Sequence, residues 1–312
     1  METDLVKAGS DNSLIQATRN FIQEWLANEK LRGQSDKTID AYRRGLGRFT
    51  EWLLEKGISN PTAKDIAQYK ADMSGVYSSQ TVNLSLSAVR SFYRYLVEVG
   101  AMPYSIANDV RGAKRSKSTK HKRSELSGGE VLDVLETCDN TIEGIRDRAI
   151  ITLMAYCGLR TIEINRANTS GLKTENNRMT LEVQGKGRVE ADDVVIIPRN
   201  QERIIRAWLS VRNKLGGSPA LFVSLSNRSK GGRLSTRAVR KLVKDRYMRA
   251  GIFSDTKTTH SLRHSAITSA IRHGATPLQV QAMARHASFE TTLGYIHEVN
   301  RVENPAEDLI EY

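Results

Sequence analysis

Apolar residues recur at helical spacing through the first third of the chain. Leu14, Phe21, Ile22, Trp25 and Leu26 mark one helix, and Ile39, Tyr42, Leu46, Phe49, Trp52 and Leu53 mark a second. Ser35 or Asp36 is placed to cap the second helix. Pro61-Thr62 opens a third that runs to about Met73. A fourth, from about Ser79 to Val99, carries the apolar face Val82, Leu86, Val89, Phe92, Tyr93 and Leu96 and stops at Gly100. Four short helices joined by brief loops predict a small bundle over residues 14–110.

From residue 124 the pattern becomes mixed. Ser127 and Glu130 form a capping-box pair at a helix start. A strongly apolar helix is predicted from about Ile142 to Cys157, stopping at Gly158. Between 178 and 197 the period shortens to two. Met179, Leu181 and Val183 alternate with polar residues, Gly185-Lys186-Gly187 makes a turn, and Val194 to Ile197 returns. This predicts a β-hairpin with Lys186 at its tip. Helices are expected at about 200–214, 235–250, 259–273 and 277–285, with a last one near 289–297. The fold class read from the pattern is mainly α with a small β-hairpin.

Charge divides the chain further. Of 312 residues, 47 are Lys or Arg and 35 are Asp or Glu, a net charge of +12 that favours polyanionic partners. Residues 1–110 are neutral in sum, with 13 basic and 13 acidic side chains. Residues 111–123 hold seven cations, Arg111, Lys114, Arg115, Lys117, Lys120, Lys122 and Arg123, and neither an acid nor a large apolar residue. They read as a basic interdomain linker drawn to phosphates, although a solvated charged loop has the same composition. Residues 124–297 form the second domain. Residues 298–312 are acidic, and 1–13 read as a flexible N-terminus. No apolar run is long enough to span a bilayer, and Met1-Glu2-Thr3-Asp4 does not read as a secretory signal. Cys138 and Cys157 make no CxxC pair or metal-ligand cluster, so a reducing cytoplasm is expected.

Several polar residues stand where chemistry could be built. Arg160 follows the end of the apolar helix, with Glu163 three residues on to orient it. His260, Arg263 and His264 share one helix face. His286 lies at a helix end, and Tyr295 follows nine residues later. Taken singly, each has an ordinary reading: a cap, a surface cation, a packed ring. Taken together, the set suits metal-free phosphodiester chemistry. Two planar guanidiniums can hold the non-bridging oxygens of a phosphate under attack. A phenol of pKa about 10 needs help to lose its proton, and a departing oxygen needs a proton donor such as Lys186. No GxxxxGK[ST] loop, HEXXH motif or acidic metal-binding pair is present, so no cofactor and no metal is expected.

The local words GLRTIEI (158–164), QGKGR (184–188), HSLRHSAITSAIRHGATPLQVQAMARHAS (260–288) and TTLGYIHEV (291–299) resemble those of the tyrosine recombinases, or phage-type integrases, most closely in the layout of two-domain Xer members. The resemblance spans about residues 14–299. It implies a helical, SAM-like core-binding domain and a mixed α/β catalytic domain that close on DNA as a C-shaped clamp. By that resemblance, Arg160 and Arg263 hold the scissile phosphate, Lys186 protonates the leaving 5′ oxygen, and His260 assists proton transfer. His286 hydrogen-bonds the phosphate, Tyr295 attacks it, and Glu163 and His264 give support. The products are a 3′-phosphotyrosine and a free 5′-hydroxyl, resolved by strand exchange through a Holliday junction. The implied partners are double-stranded DNA with specific core sites and further copies of the chain, a dimer on one site and a homotetramer on two duplexes. An accessory protein or second recombinase also fits, and the acidic tail would serve as an intersubunit exchange segment. One departure is Ala284-Arg285-His286, where the family usually has Leu-Gly-His; local repacking beside the histidine is expected. A second is that no separate arm-binding domain precedes the bundle, so arm-site dependence is not expected.

Two other functions share much of this chemistry or fold. A type IB topoisomerase would relax supercoils as a monomer, and a non-catalytic DNA-binding protein would not need Tyr295. All three readings require the basic surface, so DNA affinity should fall by about 1,000-fold or more between about 50 and 200 mM salt as phosphate contacts release counterions. A flat response in a binding titration would contradict the charge reading.

Overall fold

The structure is a computed structural model and describes residues 11–114, 124–185, 190–303, 305, 308 and 310. The chain divides into two compact units, Met1–Lys117 and Ser118–Tyr312. No helix among the described residues is long and apolar enough to cross a membrane.

The first unit holds four helices, α1 (Asp11–Leu31), α2 (Asp36–Glu55), α3 (Ala63–Val76) and α4 (Ser79–Glu98). Their starts are written in the sequence. The Ser35 and Ser78 hydroxyls accept from the N–H groups of Thr38 and Thr81, and the Asp65 carboxylate accepts from the Thr62 N–H at 2.7 Å. The core forms where the apolar stripes meet: Trp25, Leu46, Phe49, Ile66, Tyr69, Leu86 and Val89 are all buried. Trp25 stacks on Tyr42 and meets Phe92 edge-on, both at 5.6 Å between ring centres. Gly45 sets how near α2 lies to α4. A Cβ there would stand 3.1 Å from the Ala88 Cβ and the Ser85 Cα, so the absent side chain is what lets the two helices approach. The start of the linker is held by this unit, since Asn83 exchanges two hydrogen bonds with the backbone of Ala113.

The second unit is built around α6 (Ile142–Tyr156), which follows α5 (Gly128–Glu136). Residues 149–155 of α6 are all buried, as expected of a helix apolar on every side. A short helix α7 (Thr161–Arg166) leads to β1 (Leu172–Glu175), β2 (Arg178–Val183) and β3 (Asp193–Ile196). These pair antiparallel in the order β1-β2-β3, with Leu181 opposite both Leu172 and Val195. The predicted hairpin is the β2-β3 pair. The sheet has a third strand that the alternation did not reveal, because β1 contributes one partly buried leucine and three exposed polar residues. Its connection to β2 is Asn176-Asn177, both at positive φ, the backbone of a tight hairpin turn. Helices α8 (Arg199–Arg212), α9 (Thr236–Arg249), α10 (Thr259–Arg272), α11 (Pro277–Ala284) and α12 (Phe289–Glu303) complete the unit. The last helix runs six residues beyond its expected end, and the Arg272 guanidinium donates to Glu303 near its terminus at 2.6 Å.

One buried ion cluster fixes α6 against α9. The Asp147 carboxylate takes Arg146 on one oxygen (3.0 and 2.7 Å) and Arg246 on the other (3.0 and 2.8 Å). All three side chains are buried, so removing the carboxylate strands two guanidiniums away from water. Asp147→Ala is therefore expected to lower unfolding free energy by about 3–5 kcal/mol in urea denaturation. A loss below about 1 kcal/mol would mean that the cluster is solvated as a surface pair is.

Candidate active site

The site begins where α6 ends. The chain reverses at Gly158, whose φ of +63° favours glycine, and the turn buries Leu159 and places Arg160 at the N-cap of α7. Glu163, one turn into α7 and fully buried, reaches back. Its Oε2 accepts from the Arg160 backbone N–H at 2.8 Å, and its Oε1 accepts from Arg160 Nη1 at 2.7 Å. Burial pushes the Glu163 carboxyl pKa up, but the Arg285 cation, the Arg160 N–H and the Arg160 guanidinium outweigh it and hold the group ionised, below its ordinary value.

Helix α10 supplies the second arginine. It starts at a Thr258 cap and buries nearly all of its first three turns. Arg263 is 6% exposed and donates through Nη1 to the Gly158 carbonyl and through Nη2 to the Ala284 carbonyl. Burial first, then the like charges of Arg160 and Arg285, press its pKa downward, though a guanidinium stays charged at neutral pH. His264 is also buried. Its ring meets Tyr295 edge-on at 4.9 Å, with Nδ1 3.9 Å from Glu125 Oε2. His260 lies in the first turn of the same helix with its side chain exposed.

The third contribution comes from the junction of α11 and α12. Helix α11 ends at Ala284, and Arg285 follows in the left-handed conformation at φ 52° and ψ 50°. A residue with a Cβ costs about 1–2 kcal/mol more than glycine there. The Arg285 side chain is nevertheless 4% exposed, with Nη2 donating to Glu163 Oε2 at 2.9 Å and to the Gly158 carbonyl at 3.2 Å. His286 comes next. Its Nδ1 lies 2.9 Å from the hydroxyl of Thr292, a buried residue in the first turn of α12. Burial, then Arg263, Arg160 and Arg285, hold the His286 imidazole down to about 4, so it is neutral at physiological pH. Tyr295 sits one turn beyond Thr292, half-buried against Ile267, Val280 and Ala284. Its ring stacks on His286 at 5.8 Å and 16°. Burial raises the Tyr295 phenol, Arg263 opposes that rise, Glu298 adds to it, and Arg160 opposes it.

Thus Arg160, Glu163, Arg263, His264, His286 and Tyr295 converge on one place, although the chain separates the first from the last by 135 positions. His260 is on the same helix as Arg263, exposed in its first turn. Lys186 lies outside the described residues, as do Arg115, Lys117, Lys120, Lys122 and Arg123. Arg111 and Lys114 are exposed. Two participants were not singled out by the sequence reading. Thr292 gave no signal beyond its place before Tyr295. Arg285 did give one, as a non-glycine where the resembling motif has glycine. No cluster of three or more His, Cys, Asp or Glu side chains able to hold a metal ion occurs among the described residues.

Comparison with known proteins identifies the family. Residues 125–301 match the phage integrase family, and residues 22–100 match the N-terminal SAM-like domain of phage integrases. The chain is 28% identical over 270 residues to the tyrosine recombinase XerC of Xylella fastidiosa (strain M23), covering 85% of this chain and 87% of that protein. Its fold is similar to that of XerH site-specific recombinase bound to a palindromic difH substrate in a post-cleavage complex. There the TM-score is 0.73 at 22% identity, over 91% of this chain and 83% of that one. It is also similar to a lambda integrase tetramer bound to a Holliday junction, with a TM-score of 0.67 at 17% identity, over 92% and 79% of the two chains. With more than half of its length matched by the family model, the chain belongs to the phage integrase family of tyrosine recombinases.

Proposed function

We propose that this chain is a site-specific DNA recombinase whose nucleophile is Tyr295. The observation that carries the reading is the meeting of a buried arginine, a partly buried arginine, a neutral imidazole and a phenol at one point of the second unit. Arg160 and Arg263 bind the non-bridging oxygens of the scissile phosphate and take up the extra charge of the pentavalent transition state. Their cations also oppose the rise that burial imposes on the phenol, which eases proton loss from Tyr295. His286, oriented through Nδ1 by Thr292, hydrogen-bonds the phosphate through its other nitrogen. The Tyr295 oxygen forms a bond to phosphorus as the bond to the 5′ oxygen breaks. His260, at the exposed start of α10, assists transfer of the phenolic proton, and Lys186 protonates the departing oxygen. The phosphotyrosine conserves the energy of the broken bond until the 5′-hydroxyl of a partner strand attacks it.

The partners on this reading are duplex DNA with core sites, contacted in part by the cations of 111–123, and further copies of the chain. Dimers act on one site and a tetramer joins two duplexes. The acidic segment 298–312, described only in part, serves as the exchange segment between neighbours. It begins within α12, where Val299 is buried.

The first experiment is covalent trapping. Wild type and Tyr295→Phe are incubated without added metal with supercoiled plasmid carrying the DNA that flanks the gene, and SDS-resistant adducts are scored. Wild type is expected to attach to a 3′ end, whereas Tyr295→Phe should bind with near-normal affinity and attach to nothing. An adduct from the variant would move the nucleophile to another residue. Relaxation of any supercoiled plasmid by the monomer would favour a type IB topoisomerase.

A second prediction concerns pH. His286 titrates near 4 in the free protein against an ordinary 6.5, and a bound phosphate adds a negative charge that raises this value. The complex then binds more protons than its parts between the free value and the raised one, so affinity should strengthen as pH falls through that window toward 4. NMR titration of the free protein should place the imidazole well below 6.5. A value at or above that would contradict the cationic setting of the site.

A further inference from the structure

Among the described residues, three other than glycine adopt positive φ: Asn176, Asn177 and Arg285. Asparagine enters this conformation readily because its short side chain can bond locally. Arginine has no such advantage. Closing α11 requires only that the N–H groups of Arg285 and His286 donate to Ala282 and Gln281, which glycine at 285 would permit with less strain. The arginine side chain must therefore contribute something that a helix end does not need.

Its contacts show what that is. The Arg285 carbonyl accepts from Arg160 Nη2 at 3.2 Å. The Arg285 guanidinium grips the Oε2 of Glu163, whose Oε1 holds Arg160 Nη1. One residue therefore holds Arg160 on two sides, directly through its backbone and indirectly through the carboxylate. Glycine could supply only the first of these. The same Nη2 reaches the Gly158 carbonyl, which also accepts from Arg263, and Nη1 donates to Met283 at 2.7 Å. The buried Arg285 Nε has no hydrogen-bond partner among the described residues. The side chain is thus placed to reach Glu163 at some cost to its own hydrogen bonding, and it adds a third cation to a site that already holds two.

We propose that Arg285 is a positioning residue for strand cleavage, clamping Glu163 against Arg160 and tying the α11–α12 junction to Gly158 at the end of α6. The proposal rests on the site reading given above. Arg285 touches no reacting atom. It fixes the guanidinium that receives the phosphate and, being covalently next to His286, fixes the backbone of that histidine as well.

The test measures single-turnover adduct formation and DNA affinity separately, on a duplex containing the cleavage point mapped with wild type. Arg285→Gly relieves the backbone strain. It should nonetheless slow adduct formation by about 10- to 100-fold, as misplacement of a catalytic group does, while affinity changes by less than about threefold. The acid limb of its rate profile should move to higher pH, because Glu163 loses one of the two cations that hold its carboxyl down. Arg285→Lys, which keeps the charge without the fork, should recover part of the rate. Adding Arg285→Gly to Glu163→Gln should cost little beyond Glu163→Gln alone, because both act through one contact. A rate for Arg285→Gly within about twofold of wild type, or losses that multiply independently of Glu163, would overturn the proposal and leave Arg285 a helix end. Tyr295→Phe is run beside these variants. An adduct from it would instead overturn the site reading on which the proposal stands.

Discussion

Three guanidiniums cannot share a buried site without a counter-charge, and the carboxylate of Glu163 supplies it. Fully buried, it spends one oxygen on the side chain of Arg160 and the other on the Arg160 N–H and Arg285. Without it, Arg160, Arg263 and Arg285 would repel one another in a medium that screens poorly. With it, the cluster still carries more positive than negative charge. That residual imbalance suits a phosphate and accounts for the direction of the shifts nearby. All three cations favour neutral His286, and Arg263 and Arg160 favour the ionised form of Tyr295.

Helix α6 carries this arrangement to the rest of the fold. Near its start, Asp147 holds Arg146 and Arg246, joining it to α9. At its other end the chain turns at Gly158 and delivers Arg160, and the Gly158 carbonyl accepts from both Arg263 and Arg285. The same device, one carboxylate between two arginines, thus appears twice in the unit. In one place it fixes helices, and in the other it fixes a site.

Much of this was legible in the amino-acid order. Ser35, Ser127 with Glu130, and Gly100 mark helix ends through local chemistry, and the structure uses them so. The stripes at 39–53 and 82–96 identify their buried faces because period alone determines which side chains point inward. Strand β1 was not legible, since a strand whose side chains mostly face water carries no alternation. Nor was α7, because six residues are too few for a period to register. Local spacing linked Arg160 to Glu163 and Arg263 to His264. It could not bring Arg160 to the backbone of Arg285, 125 positions away. The joint chemistry of the set and the resemblance to known sequences suggested that those segments work together, and the resemblance drew attention to the glycine missing at 285 without indicating where the arginine would reach.

The bond between His286 and Thr292 ties two side chains of the site to one helix. Thr292 and Tyr295 lie within a turn of each other on α12, so the helix that presents the phenol also orients the imidazole. On the proposed reading, were α12 to leave its seat on α10 and α11, the site would lose its attacking group and the alignment of a phosphate ligand together. Partial states in which one is armed and the other is not are thereby made scarce. In a protein that breaks DNA, such a linkage converts the seating of a single helix into an all-or-none safety catch.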